Sequence, residues 1–107
     1  VFEAPIDLLS YLTLYPEKGS EHSYVACCGT SPIPVLTMLQ RMKTPQAVYL
    51  CLDNDRAGHE ASLKIAEQVG ERFHIASDRL IPGQKDWNED LCVLREAPKQ
   101  GMAMGMR

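Results

Sequence analysis

Two kinds of hydrophobic pattern alternate along this chain. Short, nearly unbroken apolar runs stand at Val1-Phe2, Tyr24-Val-Ala-Cys-Cys28 and Ala47-Val-Tyr-Leu-Cys-Leu52, with mixed runs at Arg72-Phe-His-Ile-Ala76 and Arg79-Leu-Ile81. Apolar runs of about four to eight residues bounded by turn formers mark strands buried on both faces. Between them, apolar residues recur at helical spacing. Pro5 can open a helix whose stripe is Ile6, Leu8, Leu9, Leu12 and Leu14, ended after Tyr15 by Pro16. Val35, Leu36, Leu39 and Met42 mark a second helix behind Gly29-Thr-Ser-Pro32, where Thr30 and Ser31 offer hydroxyls for a cap. Ala61, Leu63, Ile65, Ala66 and Val69 mark a third over His59 to Gly70, with Gly70 placed as its C-terminal cap. Leu91, Val93 and Leu94 form a short fourth after the break at Pro82-Gly83.

Strand and helix in strict alternation predict an α/β domain of three layers: a mainly parallel sheet of about four strands with right-handed crossovers and helices on both faces. Residues 1–96 carry that pattern. Residues 97–107, where Met102, Met104 and Met106 alternate with small residues, are expected to be a loose C-terminal tail, and the polar stretch Glu17 to Ser23 a loop. Val1-Phe2-Glu3 begins like a strand cut near its start, so the chain is expected to be a domain excised from a longer protein.

At 107 residues the chain can build one core, and 45% hydrophobic against 23% charged residues places it with globular rather than disordered proteins. No apolar run reaches the length of a membrane span and no signal-peptide pattern opens the chain, which leads to the expectation of a cytoplasmic protein without membrane partners. The cysteines Cys27, Cys28, Cys51 and Cys92 lack C-x-x-C spacing and read as reduced, structural thiols. A net charge of −3 argues against a surface that coats nucleic acid by neutralising phosphates, but leaves room for a contact bridged by a cation.

The candidate chemistry sits where the third strand ends. Ala47–Leu52 runs directly into Asp53-Asn54-Asp55-Arg56-Ala57-Gly58 before the third helix begins. The rim at the carboxyl ends of an open parallel sheet is where ligands bind, and two carboxylates two residues apart on extended chain point the same way, so both can grip one hard cation. Several other readings compete. Asp53 and Asp55 could cap the following helix, Asp55 especially. Receiver domains and haloacid-dehalogenase phosphatases also pair acids with magnesium on α/β folds, but they place the pair on the first strand, not the third. An EF-hand loop starting at Asp53 would need a bidentate Glu at its twelfth position, where this chain has Lys64. His22, His59 and His74 have no metal-ligand spacing, and Trp87 reads as a packing residue.

Glu3 after the first strand, Asp53-x-Asp55-x-Ala57-Gly58 after the third and Lys85-Asp86-x-Asn88 after the fourth together resemble the Toprim family of topoisomerases, primases, related nucleases and recombination mediators. The resemblance spans most of residues 1 to 91 and is closest to Toprim domains of primase-like proteins from bacteria and mobile elements. It departs at the first motif, where Glu3-Ala4-Pro5-Ile6-Asp7 stands in place of the usual Glu-Gly. It implies that Glu3, Asp53 and Asp55 form the catalytic and metal-binding centre. It places Asp7 and Asp86 as outlying acids that act through water or phosphate, and Lys85 as a phosphate contact, while Arg56, from its own position, could either reach a phosphate or stand solvated at the start of the third helix. The implied cofactor is Mg2+, with Mn2+ as a substitute, and the implied partners are DNA or RNA, nucleotides and neighbouring domains of the parent protein, a zinc-binding or uncharacterised segment among them. Two functions follow from it. One is a primase-like or nuclease-like module acting in nucleotidyl transfer or phosphodiester cleavage during DNA replication. The other is a non-catalytic domain for DNA binding or assembly, as in recombination mediators.

Overall fold

The computed structural model describes residues 1–19 and 22–105, with the main chain alone described over 97–105. Four helices, α1 (Pro5–Leu14), α2 (Ile33–Arg41), α3 (Arg56–Phe73) and α4 (Trp87–Gly105), surround two parallel strands, β1 (Ala47–Leu50) and β2 (Ala76–Arg79). β1 pairs with β2 in register, Ala47 opposite Ala76 through Leu50 opposite Arg79.

The sheet continues beyond these two strands through main-chain hydrogen bonds. The Val1 amino group donates to Tyr49 O and Cys51 N–H to Val1 O, both at 2.8 Å. On its other side, Phe2 N–H donates to Val25 O at 2.9 Å and Cys27 N–H to Phe2 O at 2.8 Å, around a parallel bridge between Phe2 and Ala26. Laterally the order is therefore 25–27, 1–2, β1, β2, which matches the expected four parallel segments, although the first two are too short to count as strands.

Two apolar clusters show why helices cover both faces. Val48, Leu50 and Leu52 point to one side and pack with Val35, Leu36 and Leu39 of α2 and Ala61, Ile65 and Val69 of α3. Cys51 points to the other and packs with Phe2 and Trp87, joined by Leu8, Tyr11 and Leu14 of α1. This alternation follows from the two-residue period of a strand. Leu52, Ile65 and Val69 are fully buried, each stabilising the fold by about 1.5–3 kcal/mol relative to exposure. Trp87 is a packing residue as expected: its indole N–H donates to Cys51 O at 2.8 Å and its ring meets Tyr11 edge-on.

Several boundaries differ from those expected. The third helix does not stop at Gly70. It runs to Phe73 and is capped by His74 in the left-handed conformation (φ 55°), whose N–H returns to Gly70 O. The fourth strand consequently starts at Ala76, not at Arg72, because Arg72 and Phe73 belong to the last turn of α3. α4 continues to Gly105, so the segment after residue 96 is helical up to there rather than a loose tail, while Met106 and Arg107 lie outside the described residues. The expected loop over Glu17 to Ser23 includes part of a 3-10 turn, Pro16–Lys18, and Ser20 and Glu21 lie outside the described residues. All four cysteines are free, Cys27 and Cys51 buried, Cys28 and Cys92 exposed.

Candidate metal centre

The lateral order reverses direction between the first segment and β1: the chain leaves residue 2 for one side of the sheet and returns at β1 on the other. Such a switch point opens a crevice at the carboxyl ends of the strands. Glu3 and Asp53 follow the two segments that flank it. They meet there, Asp53 N–H donating to Glu3 Oε1 at 3.3 Å.

Each acid is brought to the rim by a separate local device. Pro5 opens α1, which places Asp7 in its first turn, buried to 4% exposure. Asp86 precedes α4 and accepts the N–H of Glu89 at 2.8 Å, a helix cap that fixes its carboxylate. Asp53 lies three residues past the end of β1. Carboxylate oxygens of Asp7, Asp53 and Asp86 then lie within 4.8 Å of one another. Asn88 N–H donates to Asp7 Oδ1 at 3.2 Å and Ser10 Oγ–H to Asn88 Oδ1 at 3.2 Å, tying α1 to α4 beside the cluster.

Gly58 of the Asp53-x-Asp55-x-x-Gly58 motif has a steric role. A Cβ there would stand 2.1 Å from Asp53 O and 2.9 Å from Asp53 C, so only glycine lets the first turn of α3 lie against the Asp53 peptide. Asp55 is the N-cap of α3, its Oδ1 accepting Gly58 N–H at 2.7 Å. Ser31 Oγ accepts the N–H of Ile33 at 3.3 Å from one residue before Pro32, the N-cap of α2, which makes no side-chain cap of its own.

The electrostatics fit a cation. Burial, with the carboxylates of Glu3, Asp7, Asp86 and Asp55 adding repulsion, pushes Asp53 up to about 6. Burial also raises Glu3, against the pull of the Asp53 N–H, with Asp55 and Asp7 adding to the rise. Asp7 is raised by burial, opposed by the Asn88 N–H, with Asp86 adding to the rise. Asp53 Oδ1 is buried with no hydrogen-bond partner. Among the described residues the one ion pair, Arg56–Glu60 at 3.0 Å, is exposed on α3 and does not include these acids. A set of carboxylate oxygens with an unsatisfied buried member is what a hard divalent ion requires.

The residues singled out from sequence are thus distributed unevenly. The carboxylates that converge are Asp53 with Asp7 and Asp86, the two acids expected to be outlying. Glu3 adjoins through the Asp53 amide, and Asp55 is engaged as a cap. Lys85 is exposed; its N–H donates to Glu89 Oε2 and its carbonyl accepts Asn54 N–H at 2.6 Å. Sequence reasoning missed Arg79, whose guanidinium donates to the carbonyls of Leu50, Leu52, Asp53 and Leu80 at 2.7–3.2 Å. Nothing in the sequence sets it apart, since it ends a strand, Ala76-Ser-Asp-Arg79, that already carries polar residues. A groove of about 690 Å³, lined by Met38, Leu39, Val48 and Tyr49 among others, holds none of the acids.

Comparison with known families decides what this rim belongs to: the model of the Toprim-like family matches residues 1–91. The chain belongs to the Toprim-like family. That membership carries a metal-dependent function connected with nucleic acid, and the rim holds a cluster of acids, Asp7, Asp53 and Asp86, whose carboxylate oxygens lie close enough to share one cation. No curated protein and no solved structure matches the chain. Among the described residues no helix is long and apolar enough to cross a membrane.

Proposed function

We propose that this Toprim domain binds Mg2+ at the rim and serves a primase-like protein in nucleotidyl transfer or phosphodiester cleavage on DNA or RNA. The observation that carries the proposal is the convergence of Asp7, Asp53 and Asp86 from three separate elements around a buried, unpartnered Asp53 oxygen. In this scheme Asp53, Asp7 and Asp86 hold the ion, Glu3 sits beside it to ligate or to move a proton, and Asp55 shapes the loop by capping α3. Bound there, the ion would neutralise the carboxylates and polarise a phosphodiester oxygen. Lys85 and Arg56, both exposed near the rim, are assigned to phosphate. With a net charge of −3, most of the grip on nucleic acid is assigned to neighbouring domains.

Magnesium is usually held by one or two protein carboxylates plus substrate phosphates, so metal and nucleic acid should each tighten the other's binding by the same factor. Calorimetric titration of Mg2+ with and without a short single-stranded oligonucleotide tests this. Mutual enhancement that disappears in Asp53→Asn supports the proposal. Binding of either ligand that ignores the other overturns it.

A further inference from the structure

We propose that Arg79 is the positioning residue of this rim, holding the end of β1 so that the Asp53 carboxylate is aimed at the cation; the proposal rests on the metal-centre reading above. A guanidinium is a rigid planar fork of donors with no acceptor, suited to joining several oxygens fixed in space. In Arg79 it is spent on main-chain oxygens. Nη1 donates to Leu50 O, Leu52 O and Leu80 O at 3.2, 2.7 and 3.2 Å, and Nη2 to Asp53 O at 2.7 Å. Nη2 also lies 3.3 Å from His59 Nδ1 on α3, which must accept because arginine only donates. One side chain thereby joins the end of β1, the end of β2 and the first turns of α3, the elements that frame Asp53.

The need for such a clamp follows from the chain's geometry. Past Leu50 the ladder to β2 ends with Leu80 N–H on Leu50 O, so the carbonyls of Leu52 and Asp53 reach beyond the sheet's own pairing. Arg79 supplies those carbonyls with donors at the point where the carboxylates crowd together. Lysine cannot substitute, since a single ammonium cannot span four carbonyls in these directions. Groups that orient metal ligands typically change metal affinity by about 10–100-fold when removed.

The test compares Arg79→Met, Arg79→Lys and Val69→Ala in the 107-residue chain, reading Mn2+ affinity and, without metal, amide exchange at Asp53, Asn54 and Gly58. Val69 is fully buried about three turns further along α3 and serves as a purely structural control. Both Arg79 variants are expected to weaken Mn2+ binding by about tenfold or more and to speed exchange at those three amides, while Val69→Ala lowers the melting temperature and leaves affinity within about twofold. Unchanged affinity in the Arg79 variants, full rescue by lysine, or an equal loss in Val69→Ala overturns the proposal. If wild type binds no Mn2+ at the rim, the metal reading fails, and the exchange rates still decide whether Arg79 clamps β1. Should an Arg79 variant not fold, guanidinium N–H resonances of wild-type Arg79 remain decisive: restricted rotation supports the clamp and free rotation refutes it.

Discussion

Two glycines on one helix should respond oppositely to the same substitution. At Gly58 an added Cβ falls 2.1 Å from Asp53 O, 2.9 Å from Asp53 C and 3.1 Å from Asp53 N. Contacts under 3.0 Å are essentially never made by a real Cβ, so the first turn of α3 and the Asp53 peptide must part by about 0.9 Å. All three crowded atoms are main chain, which cannot swing aside. The move stretches the 2.7 Å cap from Gly58 N–H to Asp55 Oδ1, worth about 1 kcal/mol, and adds overpacking strain of about 1–3 kcal/mol. Against this stands a gain of about 1 kcal/mol from alanine's helix propensity. The net for Gly58→Ala is a loss of about 1–3 kcal/mol, a fall in melting temperature of about 4–8 °C per kcal/mol for a domain this size. At Gly70 the same Cβ meets nothing within 4 Å, so Gly70→Ala keeps only the propensity gain and should raise stability by about 0.5–1 kcal/mol. Thermal unfolding followed by circular dichroism, with the two variants beside wild type, is sufficient. A Gly58→Ala protein as stable as wild type, or one that melts together with Gly70→Ala, would refute the close approach of α3 to Asp53.

The raised value of Asp53, about 6 against an ordinary 3.8, means that folding takes up a proton there. The stability from that proton is complete below about pH 4 and is lost as pH rises through about 6, so the metal-free chain should melt higher near pH 5 than near pH 7.5 on account of this group. Added Mg2+ should reverse the trend, stabilising near pH 7.5 and hardly at all near pH 5, as melting curves at both values would show. Asp53→Asn should raise the metal-free melting temperature near pH 7.5 while removing the response to Mg2+; a variant less stable than wild type with that response intact would contradict the crowding of acids. Asp55→Ala should cost about 1 kcal/mol through its lost cap, with Asp55→Ser restoring most of it in urea unfolding. Equal losses in both variants would mean that the Asp55 charge, not its cap, matters.

Much of the fold was legible because its signals are local. Periodicity located all four helices and the β1 run, and the alternation of strand and helix implied the layered parallel sheet. The end of α3 was misplaced because Gly70 looks like a cap, whereas Phe73 is partly buried against the core and draws the helix on by one turn. The rim of the sheet was legible as a place for acids, but not which acids converge. Asp53 and Asp55 are conspicuous by spacing alone, while Asp7 and Asp86 entered only through the family resemblance, and there as outlying acids rather than as partners of Asp53. Only the tertiary fold brings the starts of α1 and α4 over the end of β1. Arg79 was invisible for the same reason: its partners are main-chain oxygens, which leave no trace in side-chain patterns. Gly58 is intermediate, present in the motif yet explained only by the 2.1 Å approach.

Manganese-induced broadening of NMR signals tests the metal centre most directly, because the effect falls off steeply with distance from the ion. At substoichiometric Mn2+, signals of Asp7, Asp53 and Asp86 should vanish first, with Glu3 close behind, and Asp53→Asn should keep them sharp. Broadening spread evenly over the acidic surface, or centred on other residues, would contradict a cation held by these three carboxylates.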